Sequence, residues 1–149
     1  TGATGATGAT GPTGSAPEDV FANFVSFAVA FDNGGLIPFS TGVADPTGQI
    51  TLTDTYRIAL EPGYYAISYN VSAILADAGY MQITPYYNGA SQIQYGIYFK
   101  TTSASASADG SVSIIIPVPS QTVFTLTFNS STRGLDGAAT ISVIKLNRN

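Results

Sequence analysis

The chain contains no cysteine, no histidine and no tryptophan among its 149 residues. Without cysteine there can be no disulfide, thiolate metal site or cysteine nucleophile, so stability has to come from packing or assembly. Without histidine as well, the usual catalytic triads and zinc sites cannot be built. Charge is scarce too: 9% of residues carry it, against about 25% in an average soluble protein. The only cations are Arg57, Lys100, Arg133, Lys145 and Arg148, and the formal net charge is -4. That excludes the basic stripe needed to neutralise phosphates, and with it nucleic acid as a partner. No apolar run approaches the roughly 18 to 20 residues of a bilayer-crossing helix, so no membrane span is expected here. No signal segment opens the chain. Because it starts within a repeat at Thr1, any targeting region is expected upstream.

What is present falls into two unlike parts. In residues 1–16, Gly2, Gly5, Gly8, Gly11 and Gly14 recur at every third position, giving Gly-Ala-Thr three times, then Gly-Pro-Thr and Gly-Ser-Ala. Strict glycine at period three is the requirement of a collagen triple helix, whose axis has room only for a residue without Cβ. Flexible linkers have no reason to hold such a period. Five triplets are too few to hold three chains together unaided. Thr4, Thr7, Thr10 and Thr13 present a row of outward hydroxyls, either acceptors for O-linked sugars or simply soluble outward positions.

Residues 17–149 read as one globular head, and 44% hydrophobic residues over the whole chain suffices for a core. Short apolar runs are punctuated by turn residues. The pattern predicts strands over 20–31, 36–39, 49–53, 56–60, 80–87, 93–99, 111–118, 122–129 and 139–146, with Asp32-Asn33-Gly34-Gly35, Glu61-Pro62-Gly63 and Asn88-Gly89 as turns. The clearest alternation places Tyr65, Ile67, Tyr69, Val71 and Ala73 on one face and Ala66, Ser68, Asn70 and Ser72 on the other, as in a strand packed on both sides. The Ser, Ala and Thr stretch 101–108 is expected to be a loop or exposed edge. Eight to ten such strands without a helical period predict an all-β antiparallel sandwich or jelly roll.

The inventory for chemistry is thin. Asp32, Asp45, Asp109 and Asp136 stand beside Asn-Gly, proline, glycine and glycine, and Asp77 precedes Ala-Gly, contexts where aspartate serves turn geometry, and Glu61 precedes Pro-Gly. Nothing favours a paired-carboxylate glycosidase, and no loop has an EF-hand-like calcium spacing. No catalytic residue, metal ligand or cofactor is therefore assigned. The seventeen aromatics, nine Tyr and eight Phe, are the remaining unusual feature. Tyr86, Tyr87, Tyr95 and Tyr98 could form a shelf on which a sugar stacks, or they could serve core and interface. Asn70-Val71-Ser72 and Asn129-Ser130-Ser131 match a glycosylation pattern by chance.

A Gly-X-Thr run joined to a Phe-, Tyr- and Val-rich head of low charge resembles the BclA-type collagen-like glycoproteins of the exosporium of endospore-forming bacteria. The segment Glu61-Pro62-Gly63-Tyr64-Tyr65-Ala66-Ile67-Ser68-Tyr69-Asn70-Val71 is similar to the Gly-x-Tyr-x-aromatic-x-aromatic strand of complement-type and tumour-necrosis-factor-like heads. The motif positions here are Gly63, Tyr65, Ile67 and Tyr69, with Ile67 departing from the usual aromatic. The resemblance implies a jelly-roll homotrimer that registers a collagen-like stalk at the tip of a spore-surface filament, among neighbouring exosporium proteins. It also implies O-linked sugars on Thr4, Thr7, Thr10 and Thr13. The competing readings are an adhesin head for a host glycan or protein, and a collagen-tailed phage tail-fibre tip. Low charge, many β-branched residues and a shared trimer core further predict slow unfolding.

Overall fold

A computed structural model describes residues 1–5, 8, 11 and 14–148. Among them, twelve strands run in chain order: β1 (Phe21–Phe31), β2 (Gly35–Leu36), β3 (Ser40–Val43), β4 (Ile50–Leu52), β5 (Ile58–Leu60), β6 (Gly63–Leu75), β7 (Tyr80–Tyr87), β8 (Ala90–Ser91), β9 (Ile97–Lys100), β10 (Ala106–Val118), β11 (Thr122–Ser130) and β12 (Gly134–Leu146). A five-stranded sheet has the order β10-β6-β12-β1-β3. Facing it is a second sheet of order β4-β5-β11-β7-β8, in which β2 also pairs β11 and β9 pairs β7. All pairings are antiparallel, and the all-β jelly-roll sandwich is as expected.

β6 shows how the sequence dictates this arrangement. Tyr65, Ile67, Tyr69, Val71 and Ala73 are buried and meet Ile58, Leu60, Ile83, Phe124 and Phe128 of the opposite sheet in one core. Burying each large apolar side chain contributes about 1.5–3 kcal/mol. Phe31 and Phe128 rings meet at 5.3 Å across the sandwich, and Tyr87 stacks on Phe124 at 5.8 Å. The hairpin from β7 to β8 turns on Asn88 (φ 51°) and Gly89 (φ 77°), the left-handed pair a two-residue turn needs. Asp45 knots the connection between β3 and β4. Its buried carboxylate accepts the backbone N–H of Thr47, Gln49 and Ile50, each at 2.9 Å, and the Thr47 hydroxyl at 2.8 Å.

Several boundaries differ from the sequence reading, some shortened by a proline or a local turn and others extended by pairing with a neighbouring strand. Residues 36–39 give only the two-residue β2, since Pro38 cannot donate to a ladder. Asp54 accepts the N–H groups of Tyr56 and Arg57, so 54–57 is a turn and β5 starts at Ile58. Residues Ile93–Tyr95 form a 3-10 turn, with strand only from Ile97. The Ser, Ala and Thr stretch is a loop to Ser105, but from Ala106 it pairs with β6 as the start of β10. Likewise β12 begins at Gly134 rather than Ala139, and β3 lacked any apolar alternation to reveal it.

Candidate interaction surface

The outward face of the five-stranded sheet is built in rows, because antiparallel partners point the same way. One row is Ile115, Ala66, Ile144 and Phe21; the next is Ser113, Ser68, Ser142 and Asn23; the third is Ser111, Asn70, Thr140 and Val25. None of these side chains is charged. A further row, Pro117, Tyr64 and Leu146, extends the apolar band to the end of the sheet where the chain enters β1. Ile115 is 67% exposed, Ile144 51% and Phe21 47%, and none has a polar atom to place in water.

Most polar side chains of these rows are already paired within the sheet. Ser68 and Ser113 hydroxyls hydrogen-bond at 2.9 Å. Asn23 Nδ2 donates to Ser142 Oγ and the Ile141 carbonyl, and Asn70 Nδ2 to Ser111 Oγ and the Gly110 carbonyl, all at 3.1 Å. Groups paired in this way can be covered at little desolvation cost. Further along, β1 and β12 shift register beside one another, with Ala28 (φ 55°) and Asp136 (φ 47°) in the left-handed region. The bulge turns Phe27 out of the sheet, 84% exposed. Gly137 fits there because a Cβ would lie 2.5 Å from the Val29 carbonyl oxygen. β6 is thus buried on one face only within the single chain; its Ser68 and Asn70 face remains exposed.

The motif residues of β6 lie elsewhere. Tyr65, Ile67 and Tyr69 are core. Tyr65 donates its hydroxyl proton to the Glu61 carbonyl at 2.6 Å, and Tyr69 donates to the Tyr95 carbonyl. Burial pushes the Tyr65 phenol up to about 12, with Glu61 and Asp45 adding to the rise, and burial likewise raises Tyr69. Gly63 has φ 153°, and Lys145 crosses so closely that a Cβ would sit 2.4 Å from its Cε. Of the tyrosines considered for a sugar shelf, Tyr87 is buried, whereas Tyr98 is 65% exposed and stacks on Tyr80, which the sequence did not single out. Thr4 is exposed; Thr7, Thr10 and Thr13 lie outside the described residues.

The acidic side chains take structural parts. Burial pushes the Asp45 carboxyl up, but its hydrogen bonds from Thr47, Ile50 and Gln49 prevail and hold it below the ordinary 3.8. The Tyr56 N–H and the Arg57 guanidinium lower Asp54, an acid the turn-residue reading passed over. A cleft of about 410 Å³ at the far end is floored by Phe31 and Phe128, with Asp32 and Arg57 among its lining residues. Both charges are engaged in ion pairs, Asp32 with Arg133 at 3.0 Å and Arg57 with Asp54 at 2.8 Å. Among the described residues, no three of His, Cys, Asp and Glu gather as a metal site, and no helix is long and apolar enough to cross a membrane.

No protein-family model matches the chain, and no curated protein matches it in sequence. Solved structures do match in fold. The globular domain of zebrafish complement 1qA protein superimposes with a TM-score of 0.66 at 11% identity, covering 89% of this chain and 100% of that one. PRD1 vertex protein P5 gives 0.62 at 17% identity, covering 87% and 97%. Eiger TNF from S. frugiperda gives 0.60 at 11%, covering 88% and 94%. The head is therefore a jelly roll of the complement-type and tumour-necrosis-factor-like kind.

Proposed function

We propose that this chain is a structural surface protein whose head assembles as a homotrimer and holds three collagen-like tails in register. The observation that carries this is the uncharged end of the outer face of the five-stranded sheet, where Phe21, Ile115 and Ile144 stand exposed at the end from which the tail departs. Interface cores are depleted of charge, and exposed hydrocarbon of this extent calls for a cover. A closed threefold ring needs two different complementary patches on each copy. For the second we take the β10 edge together with the 3-10 turn, where Ile93 and Tyr95 are exposed and the Tyr95 carbonyl accepts from Tyr69 of the adjoining β6. The tail supplies the complementary reason for three chains, since period-three glycine serves only a three-stranded helix. In this reading the head makes the trimer and the tail follows it.

The finer reading is a spore-surface filament tip whose stalk threonines, Thr4, Thr7, Thr10 and Thr13, carry O-linked sugars. It rests on the sequence resemblance. Fusing further Gly-X-Thr triplets to this head and following triple-helix ellipticity tests the registering role. A cooperative melt is expected with the native head and none with Ile144→Asp; equal melts would overturn the role. Antibody labelling of intact spores and glycopeptide mass spectrometry test location and sugars.

A second reading, a glycan-binding head, is favoured by one feature. Tyr98 stacks on Tyr80 at 5.9 Å beside Gln82 on the outer face of the second sheet, with Lys100 directly across from Tyr80, an aromatic step with amide, hydroxyl and ammonium donors suited to a saccharide. A blank glycan array with the trimer would remove it.

A further inference from the structure

At the base of the head, Gly63, Tyr64, Asn88, Pro117, Val118 and Pro119 line an apolar groove of about 320 Å³. Tyr64, Pro117 and Pro119 are exposed there, and Asn88 fixes the groove wall by donating its Nδ2 proton to the Pro117 carbonyl at 2.8 Å. The Arg148 guanidinium lies 4.8 Å from the Tyr64 ring centroid, so the groove carries a cation at its rim. The segment entering β1, Ser15-Ala16-Pro17-Glu18-Asp19, has the complementary character, with a proline followed by two acids. All five of its residues are exposed, and none lines the groove of its own chain. Grooves of tyrosine and proline are the usual seats of extended proline segments.

We propose that the segment Ser15–Asp19 of a neighbouring copy docks in this groove, with Glu18 and Asp19 against Arg148. The inference rests on the trimer reading above and adds what the head grips. β10 is an edge strand of the five-stranded sheet, and its last residues, Pro117 and Val118, lie at the same end as Phe21. If the β10 edge of one copy packs on the sheet face of the next, the neighbour's entry into β1 emerges beside Pro117 and Pro119. The five residues reach at most roughly 18 Å, ample for that crossing. Its own groove lies two to three strand spacings across the sheet, about 10–15 Å away, and the segment does not occupy it. Each copy would then clasp the next one's tail before the triple helix begins, converting head symmetry into stalk register.

The chain has no cysteine, so the double variant Ala16→Cys/Pro119→Cys reports the contact directly. Under mild oxidation, a covalent dimer-to-trimer ladder is expected on a denaturing non-reducing gel, at least tenfold faster than with Ala16→Cys/Ser103→Cys, whose loop lies at the opposite end of β6. A disulfide confined to single chains would overturn the proposal by making the occupant the chain's own tail. Absence of any preferred disulfide would overturn it outright. Arg148→Glu should slow cross-linking severalfold and Glu18→Lys/Asp19→Lys added to it should restore the rate; no response to either would also count against the docking. Sedimentation of the reduced double variant separates the two readings: a trimer that fails to cross-link refutes only the docking, whereas a monomer refutes the assembly.

Discussion

The two sheets turn opposite kinds of surface outward, although both are nearly free of charge. On the five-stranded sheet the exposed large groups are mainly hydrocarbon: Phe21, Phe27, Ile115 and Ile144. On the second sheet they are Tyr86 and Tyr98, amphipathic rings that keep a hydroxyl for water. The hydroxyls and amides of the first face bond one another across strands, so that face asks little of solvent. An uncharged surface can thus be a wet one or one awaiting a cover, and the polar atoms on its large side chains tell which.

The sharpest break of this contrast is a buried charge. Ile144→Asp should abolish the trimer, since an unpaired carboxylate at an interface adds several kcal/mol to the loss of about 1.5–3 kcal/mol of apolar burial. Tyr98→Asp should leave the trimer intact. Analytical ultracentrifugation of the pair would show it, and equal behaviour would erase the distinction.

Next in size is the response to pH, which reports the core side of β6. Tyr65 is held protonated up to about 12, and Tyr69 is raised as well, so the folded state prefers the neutral phenols. That stabilisation is present below pH about 10 and is lost as pH climbs from there toward 12. Asp45 has the opposite sign: its stabilisation holds above 3.8 and is lost on further acidification. Denaturation midpoints across both ranges should fall at each extreme, and Tyr65→Phe should blunt the alkaline limb.

Smaller still is removal of the hydroxyl pair on the first face. Ser68→Ala with Ser113→Ala should change stability by less than about 1 kcal/mol, because both partners leave together. A loss of several kcal/mol in urea titration would mean the rows hold the sheet rather than sit ready to be covered. Least of all, Tyr98→Ser should stay within about 0.5 kcal/mol of the parent chain, as a surface change does. A large loss there would place Tyr98 in an interface.

Much of the fold was legible because β6, β7 and β11 obey period-two alternation and the Asn88-Gly89 turn states its type in its residues. What stayed hidden had no such signal. β3 is Ser-Thr-Gly-Val, exposed throughout and held by pairing with β1. The first residues of β10 read as a polar loop, yet their partners on β6 enforce the strand. The candidate surface was half visible: the small residues Ala66, Ser68 and Asn70 opposite the β6 core promised a second packing face. Their row partners Phe21, Ile115 and Ile144 come from strands far apart in sequence, and only the register brings them together. The groove at Tyr64 was invisible for the same reason.

In the proposed trimer the sheet face is covered by a second copy of the chain. Sedimentation equilibrium of the unmodified chain, over nanomolar to micromolar concentration, tests it most directly. A single species of three times the chain mass is predicted throughout the micromolar range, and a monomer at those concentrations would contradict the account.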